Sequence, residues 1–215
     1  MIYGSAEDNS IPVLLSVSTV NMPLLIFLKM MQEKCGRQTM LKIIIIGSPG
    51  AGKSTFARKL RDTTGIPLYY LDMLWHKPDQ TTISREEFDA KLNKILKQNS
   101  WIIDGNYQRT LEARIKECDT VFLMDFPLDV CISGAESRIG KKREDLPWIE
   151  SEFDKEFKQW IIDFSKKQLP QIYKTIEKYR NSKDIIIFKS RKEADNYLYQ
   201  FSSGLCIYSK VCKNI

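Results

Sequence analysis

The chain has 215 residues, 43% hydrophobic and 28% charged, with a net charge of +6 and a pI near 9.0. That length allows one domain with a real core, and the basic balance suits a handler of polyanions without deciding the matter. Five scattered cysteines (Cys35, Cys118, Cys131, Cys206, Cys212) and a single histidine, His76, argue against a zinc site and for reduced thiols in a cytoplasmic protein.

Residues 11–28, "IPVLLSVSTVNMPLLIFL", carry no charge and as a helix would span ~27 Å, close to a bilayer core. Pro12 and Pro23 interrupt the run, Ser, Thr and Asn dilute it, and the acidic Glu7 and Asp8 oppose a signal peptide. No membrane partner is expected. Residues 1–39 read as an extension outside the fold, consistent with an upstream start codon, because Met40 is followed at once by a strand and a phosphate-binding loop.

Residues 42–46 are a β-branched run suited to a strand buried on both faces of a parallel sheet. It leads into Gly47-Ser48-Pro49-Gly50-Ala51-Gly52-Lys53-Ser54, a full G-x-x-x-x-G-K-[ST] match followed by Thr55. Such a loop turns its N–H groups inward as an anion nest, and the helix starting near Lys53 adds its positive end. Lys53 would reach the β- and γ-phosphates of ATP, and Ser54 would offer a hydroxyl to Mg²⁺. The helix stops near Gly65.

Further along, "IPLYYLD" predicts a second strand ending at Asp72, and 84–98 a helix capped by Ser84 with Phe88, Leu92 and Ile95 on its apolar stripe. "WIIDG" predicts a strand ending at Asp104, "RTLEARIKE" a helix, and "TVFLMDF" a strand ending at Asp125, where Pro127 favours a helix start. A long helical stretch is predicted over 149–179, a fifth strand over 184–188 and a helix over 191–202. Strands alternating with helices predict an α/β fold, a central parallel five-stranded sheet flanked by helices, with its site at the strands' carboxyl ends. Asp104 is the candidate to organise Mg²⁺ together with Ser54. Arg138, Lys141, Lys142 and Arg143 in "SRIGKKREDLP" suit a mobile lid over about 138–150 that neutralises a transferring phosphoryl group. The tail 204–215 has no assignment.

The segments "IIIIGSPGAGKST", "LYYLDMLWHKP", "WIIDGNYQRTLEARIKECDTVFLMDFP" and "RIGKKREDLPWIESEFDKEFKQWI" together resemble the adenylate-kinase-related bacterial P-loop proteins often labelled topology modulation proteins. The resemblance covers about residues 40–202. It implies a three-layer P-loop NTPase fold like that of nucleoside monophosphate kinases, with an ATP site and a small Arg-rich lid. It implies that Gly47 to Thr55 bind ATP, that Arg138 and Arg143 touch its phosphates, and that "FKSR", ending at Arg191, shapes the adenine pocket. "DGNYQR" is similar to the "DGFPR" segment of adenylate kinases, aligning Asp104 and Gly105 and placing Arg109 one residue beyond the acceptor-phosphate arginine. The acceptor segment from Asp72 to Ser84 is shorter than in adenylate kinases proper and carries Trp75, His76 and Lys77.

Two acceptor classes remain open. A hydroxyl acceptor needs a proton taken, which Asp72 would do, with Trp75 and Tyr107 stacking on a ring. A nucleoside monophosphate would instead be held by Arg109. A different function is also open, an ATP-binding protein that contacts DNA and has little kinase activity. Lys166, Lys167, Lys174, Lys178, Arg180 and Lys183, with Tyr173 and Tyr179 between them, would supply that face, although a solvated helix surface accounts for it better. Monomer and homodimer are equally open.

Overall fold

Four consecutive isoleucines set the centre of the molecule. The computed structural model describes residues 40–203. The expected extension 1–39 with its apolar run, the tail 204–215, and Cys35, Cys206 and Cys212 lie outside the described residues.

Strand β1 (Lys42–Gly47) is the middle strand, and Ile43 to Ile46 are wholly shielded from solvent. It pairs in parallel with β3 (Trp101–Asp104) on one side and β4 (Thr120–Met124) on the other. Strand β2 (Leu68–Tyr70) extends the sheet beyond β3, and β5 (Asp184–Phe188) extends it beyond β4. The order is β2-β3-β1-β4-β5, all parallel. Side chains alternate across the sheet. Ile44 and Ile46 join Phe88, Trp101, Ile115 and Phe164 on one face, while Ile43 and Ile45 join Phe56, Leu60, Phe122 and Phe188 on the other. A parallel sheet needs helices on both faces, and each buried isoleucine contributes roughly 1.5–3 kcal/mol of transfer free energy.

Helix α1 (Lys53–Thr64) follows the loop and stops at Gly65, whose left-handed φ of 70° lets its N–H reach Arg61 O. A five-residue helix, α2 (Leu71–Trp75), follows β2, so Asp72 sits in a helical first turn rather than ending the strand as expected. Helix α3 (Arg85–Leu96) starts on Ser84, whose Oγ accepts from Glu87 N, and it buries Phe88, Leu92 and Ile95 as its periodicity predicts. Helix α4 (Gln108–Glu117) follows β3, and α5 (Leu128–Glu136) starts after Pro127.

The predicted helix over 149–179 is two helices, α6 (Lys155–Lys167) and α7 (Leu169–Glu177). Two local causes divide it. Asp154 caps α6 through Glu156 N and Phe157 N, and residues 149–153 before it are not helical. Pro170 has no N–H to continue the ladder and is tolerated only in a first turn, so α7 restarts at Gln168. Helix α8 (Arg191–Ser202) closes the fold. Cys118 and Cys131 are buried as small apolar groups, as expected. Among the described residues no helix is long and apolar enough to cross a membrane.

Candidate active site

The carboxyl ends of β1, β3 and β4 meet at the phosphate-binding loop. Gly47 closes β1 with φ 130°, and a Cβ there would lie 2.1 Å from Met124 O, so only glycine lets β1 and β4 run together. The Asn106 amide then pairs with both backbone groups of Gly47, accepting from its N and donating to its O, each at 2.9 Å. Arg114 holds the other side of that turn. Fully buried in α4, it donates to Gly105 O at 2.8 Å, to Asn106 O, and to Tyr107 O at 3.2 Å.

Lys53 Nζ donates to Gly47 O and Ser48 O at 3.1 Å each, lying within the loop it is expected to serve. Desolvation lowers its ammonium pKa, against the attraction of Asp104. Asp104 ends β3 and is 5% exposed. Burial raises its carboxyl pKa to about 6, with the nearby Lys53 charge pulling the other way, and its Oδ1 has no hydrogen-bond partner. The orphaned buried carboxylate oxygen of Asp104 and the Ser54 hydroxyl on the same cavity are oxygen donors of the kind a hard cation takes. Ser54 Oγ donates to Asp145 Oδ2 at 3.0 Å, and Asp145 also lies 3.6 Å from Arg143 and 4.0 Å from Arg58. The basic loop is thus folded onto the start of α1 through a buried acid. Among the described residues no three acidic, cysteine or histidine side chains cluster as a self-sufficient metal site.

Two cavities meet here. The smaller, of about 330 Å³, is lined by the loop residues Gly50, Ala51, Gly52 and Thr55 together with Gly134 and Arg191. The larger, of about 540 Å³, holds Lys53, Ser54, Asp72, Asp104, Tyr107 and Arg143 on its walls. Arg138 borders both. Desolvation lowers its pKa first of all, and the neighbouring Arg143 charge adds to that. Tyr107 donates its hydroxyl to Asp72 Oδ1 at 2.9 Å. Burial, reinforced by the Asp72 charge, keeps that phenol protonated far above its ordinary range.

Many of the residues singled out in the sequence border these cavities, and Arg109, Trp75 and Asp125 do not. Ser48 is buried behind the loop, and Pro49 faces the larger cavity. Arg109, expected to hold an acceptor phosphate, is on the exposed side of α4 in a bidentate pair with Asp89 at 2.7 and 2.8 Å. One residue of shift along a helix turns a side chain by about 100°, enough to leave the cleft. Trp75, expected to stack on an acceptor ring, packs edge-on against Phe88 at 5.5 Å and Tyr107 at 6.3 Å, within the core cluster. The aromatic residues that do line the larger cavity include His76 and Trp148, in edge contact at 5.1 Å. Asp125 lies apart from the loop, accepting from Tyr173 and Lys189. The basic stretch is partly spent internally: Lys178 and Tyr179 bond Glu112, and Lys183 donates to Lys116 O and Cys118 O.

Asn106, Arg114, Asp145, Trp148 and Glu150 went unnoticed in the sequence. Asn106 lies inside the "DGNYQR" segment, and Asp145 inside a loop read only for its bases. Neither has a spacing rule that marks it.

No family model matches the chain. It is 27% identical over 88 residues to the adenylate kinase of Thermotoga petrophila, covering 40% of this chain and 39% of that one. It is 29% identical over 119 residues to the adenylate kinase of Kosmotoga olearia, covering 52% and 54%. The chain spans about two fifths to one half of the length of these curated relatives. Among solved structures, the shikimate kinase from Bacteroides thetaiotaomicron superposes with a TM-score of 0.53 at 17% identity, over 77% of this chain and 98% of that one. The chain has the fold of the P-loop kinases and, over part of its length, is similar in sequence to adenylate kinases.

Proposed function

We propose that the chain is an ATP-dependent phosphotransferase that moves the γ-phosphoryl group to a small acceptor hydroxyl. One observation carries this reading: Arg138 borders both a loop-lined cavity and a second cavity that has Lys53, Ser54 and Asp72 on its walls. The smaller cavity takes the nucleotide, with Gly50 to Thr55 around its phosphates and Arg191 beside its base. Ser54 and Asp104 would hold Mg²⁺ jointly with phosphate oxygens, and that cation would neutralise charge on them.

The chain's own residues divide the remaining work. The backbone N–H groups of the loop grip the phosphates, and Lys53 leaves its contacts with Gly47 O and Ser48 O to meet the group in transfer. Arg138 and Arg143 spread the charge that develops on it and, with the folded lid, exclude water. Asp72, fixed by Tyr107, takes the acceptor's hydroxyl proton. As it does so, the acceptor oxygen bonds the γ-phosphorus and the β,γ-bridging P–O bond breaks, its electron pair leaving with ADP.

ADP formation measured over nucleosides, nucleotides and small alcohols tests the reading. Lys53→Ala should lower turnover by ~10²–10³-fold or more while the melting curve keeps its cooperativity. Unchanged turnover in that variant would overturn the enzyme reading. Salt-sensitive DNA binding by a chain that turns over no acceptor would favour the nucleic-acid alternative instead.

A further inference from the structure

We infer that the acceptor is an uncharged ring compound bearing a hydroxyl, of the nucleoside or sugar kind, and that the cleft selects against the same ring carrying a phosphate or carboxylate. This rests on the phosphotransferase reading and names its substrate class.

The charge inventory of the larger cavity is the first support. Its cations are Lys53, Arg138 and Arg143, and its carboxylates are Asp72, Asp104, Asp145 and Glu150. Two of these cations have protein partners. Lys53 is at the loop carbonyls, Arg138 borders the nucleotide cavity, and Arg143 is engaged with Asp145 at 3.6 Å and Glu150 at 3.2 Å. The arginine that would have answered an acceptor phosphate, Arg109, is bound to Asp89 outside the cleft. An anionic acceptor would meet four carboxylates against three cations in this lining, with Arg143 already between Asp145 and Glu150. In a partly desolvated cleft that juxtaposition is repulsive.

The walls supply the second support. His76 and Trp148 stand edge to face at 5.1 Å, and Phe157 and Trp160 stack at 5.7 Å, all on the same cavity. Aromatic faces of this kind take a flat or puckered ring. His76 Nδ1 is without a hydrogen-bond partner, and the amides of Gln108 and Gln168 also face the cavity, so neutral polar groups have partners there. The Tyr107 hydroxyl occupies Asp72 Oδ1, which leaves Oδ2 for the acceptor O–H. The proton goes to Asp72 and the phosphoryl group to the acceptor oxygen, with ADP as leaving group, so an uncharged acceptor balances the step without a further reactant.

The full chain with Mg-ATP is offered paired acceptors, nucleosides and sugars against their monophosphates and their carboxylated counterparts, and kcat/KM is compared within each pair. The uncharged member should be preferred by at least ~10-fold, and Glu150→Gln should narrow the preference. Asp72→Asn should lower kcat with KM nearly unchanged, the signature of a group that acts on the proton. A preference for the phosphorylated or carboxylated member overturns this inference and leaves the kinase reading standing. Phosphorylation of neither member of any pair overturns both.

Discussion

Asp104 illustrates how one buried residue reports on both stability and chemistry. Its carboxyl stays protonated in the fold at pH values where the unfolded chain has lost the proton, since burial lifts it from 3.8 to about 6. Between those values the folded state binds more protons, so its stability falls as pH rises through the window. Relative to Asp104→Asn, which has no titrating group there, the wild-type chain should lose urea resistance between pH 4 and pH 7. Parallel pH profiles for the two chains would refute that. The same residue was legible in the sequence because it ends a β-branched strand. Arg109 and Trp75 were legible only as residue types, and a helix face and a core contact decided where they point.

Helix α5 is the element that shapes the phosphate loop from outside. A Cβ on Gly134 would lie 2.1 Å from Gly50 O and 2.7 Å from the Arg191 guanidinium, so the helix and the loop touch backbone to backbone. Gly134→Ala should cost roughly 1–3 kcal/mol through overpacking, read in urea denaturation, and should weaken Mg-nucleotide binding measured by titration. Unaltered binding would mean that the loop does not depend on α5 for its shape. The basic loop after α5 is the complementary element. Its basic residues were readable as a charge run, but its attachment to Ser54 through the buried Asp145 is a contact between residues 91 apart. Sequence periodicity carries no information at that separation. The division of residues 149–179 into α6 and α7 is different in kind, since Asp154 and Pro170 are local signals that the sequence contains and that a broad amphipathic reading passed over.

At the scale of the molecule, the sheet order β2-β3-β1-β4-β5 places the loop after the central strand, with Asp104 on one neighbour and Met124 on the other. We propose that residues 1–39 take no part in the fold, so a chain beginning at Met40 should melt at the same temperature and turn over at the same rate as the full chain. A lower melting temperature would assign residues 1–39 a part in the fold. The sequence by itself determined the parallel sheet, the phosphate loop, the strand-end Asp104 and the basic loop after α5. Each of these follows from local rules, namely β-branched runs, glycine spacing, caps and charge density. Only the tertiary structure decided which cations line the larger cavity, that Asn106 and Arg114 brace the loop, and that Asp145 ties the basic loop to α1. Those depend on which helix faces turn inward and which distant groups pair, and burial energy summed over the whole core settles both.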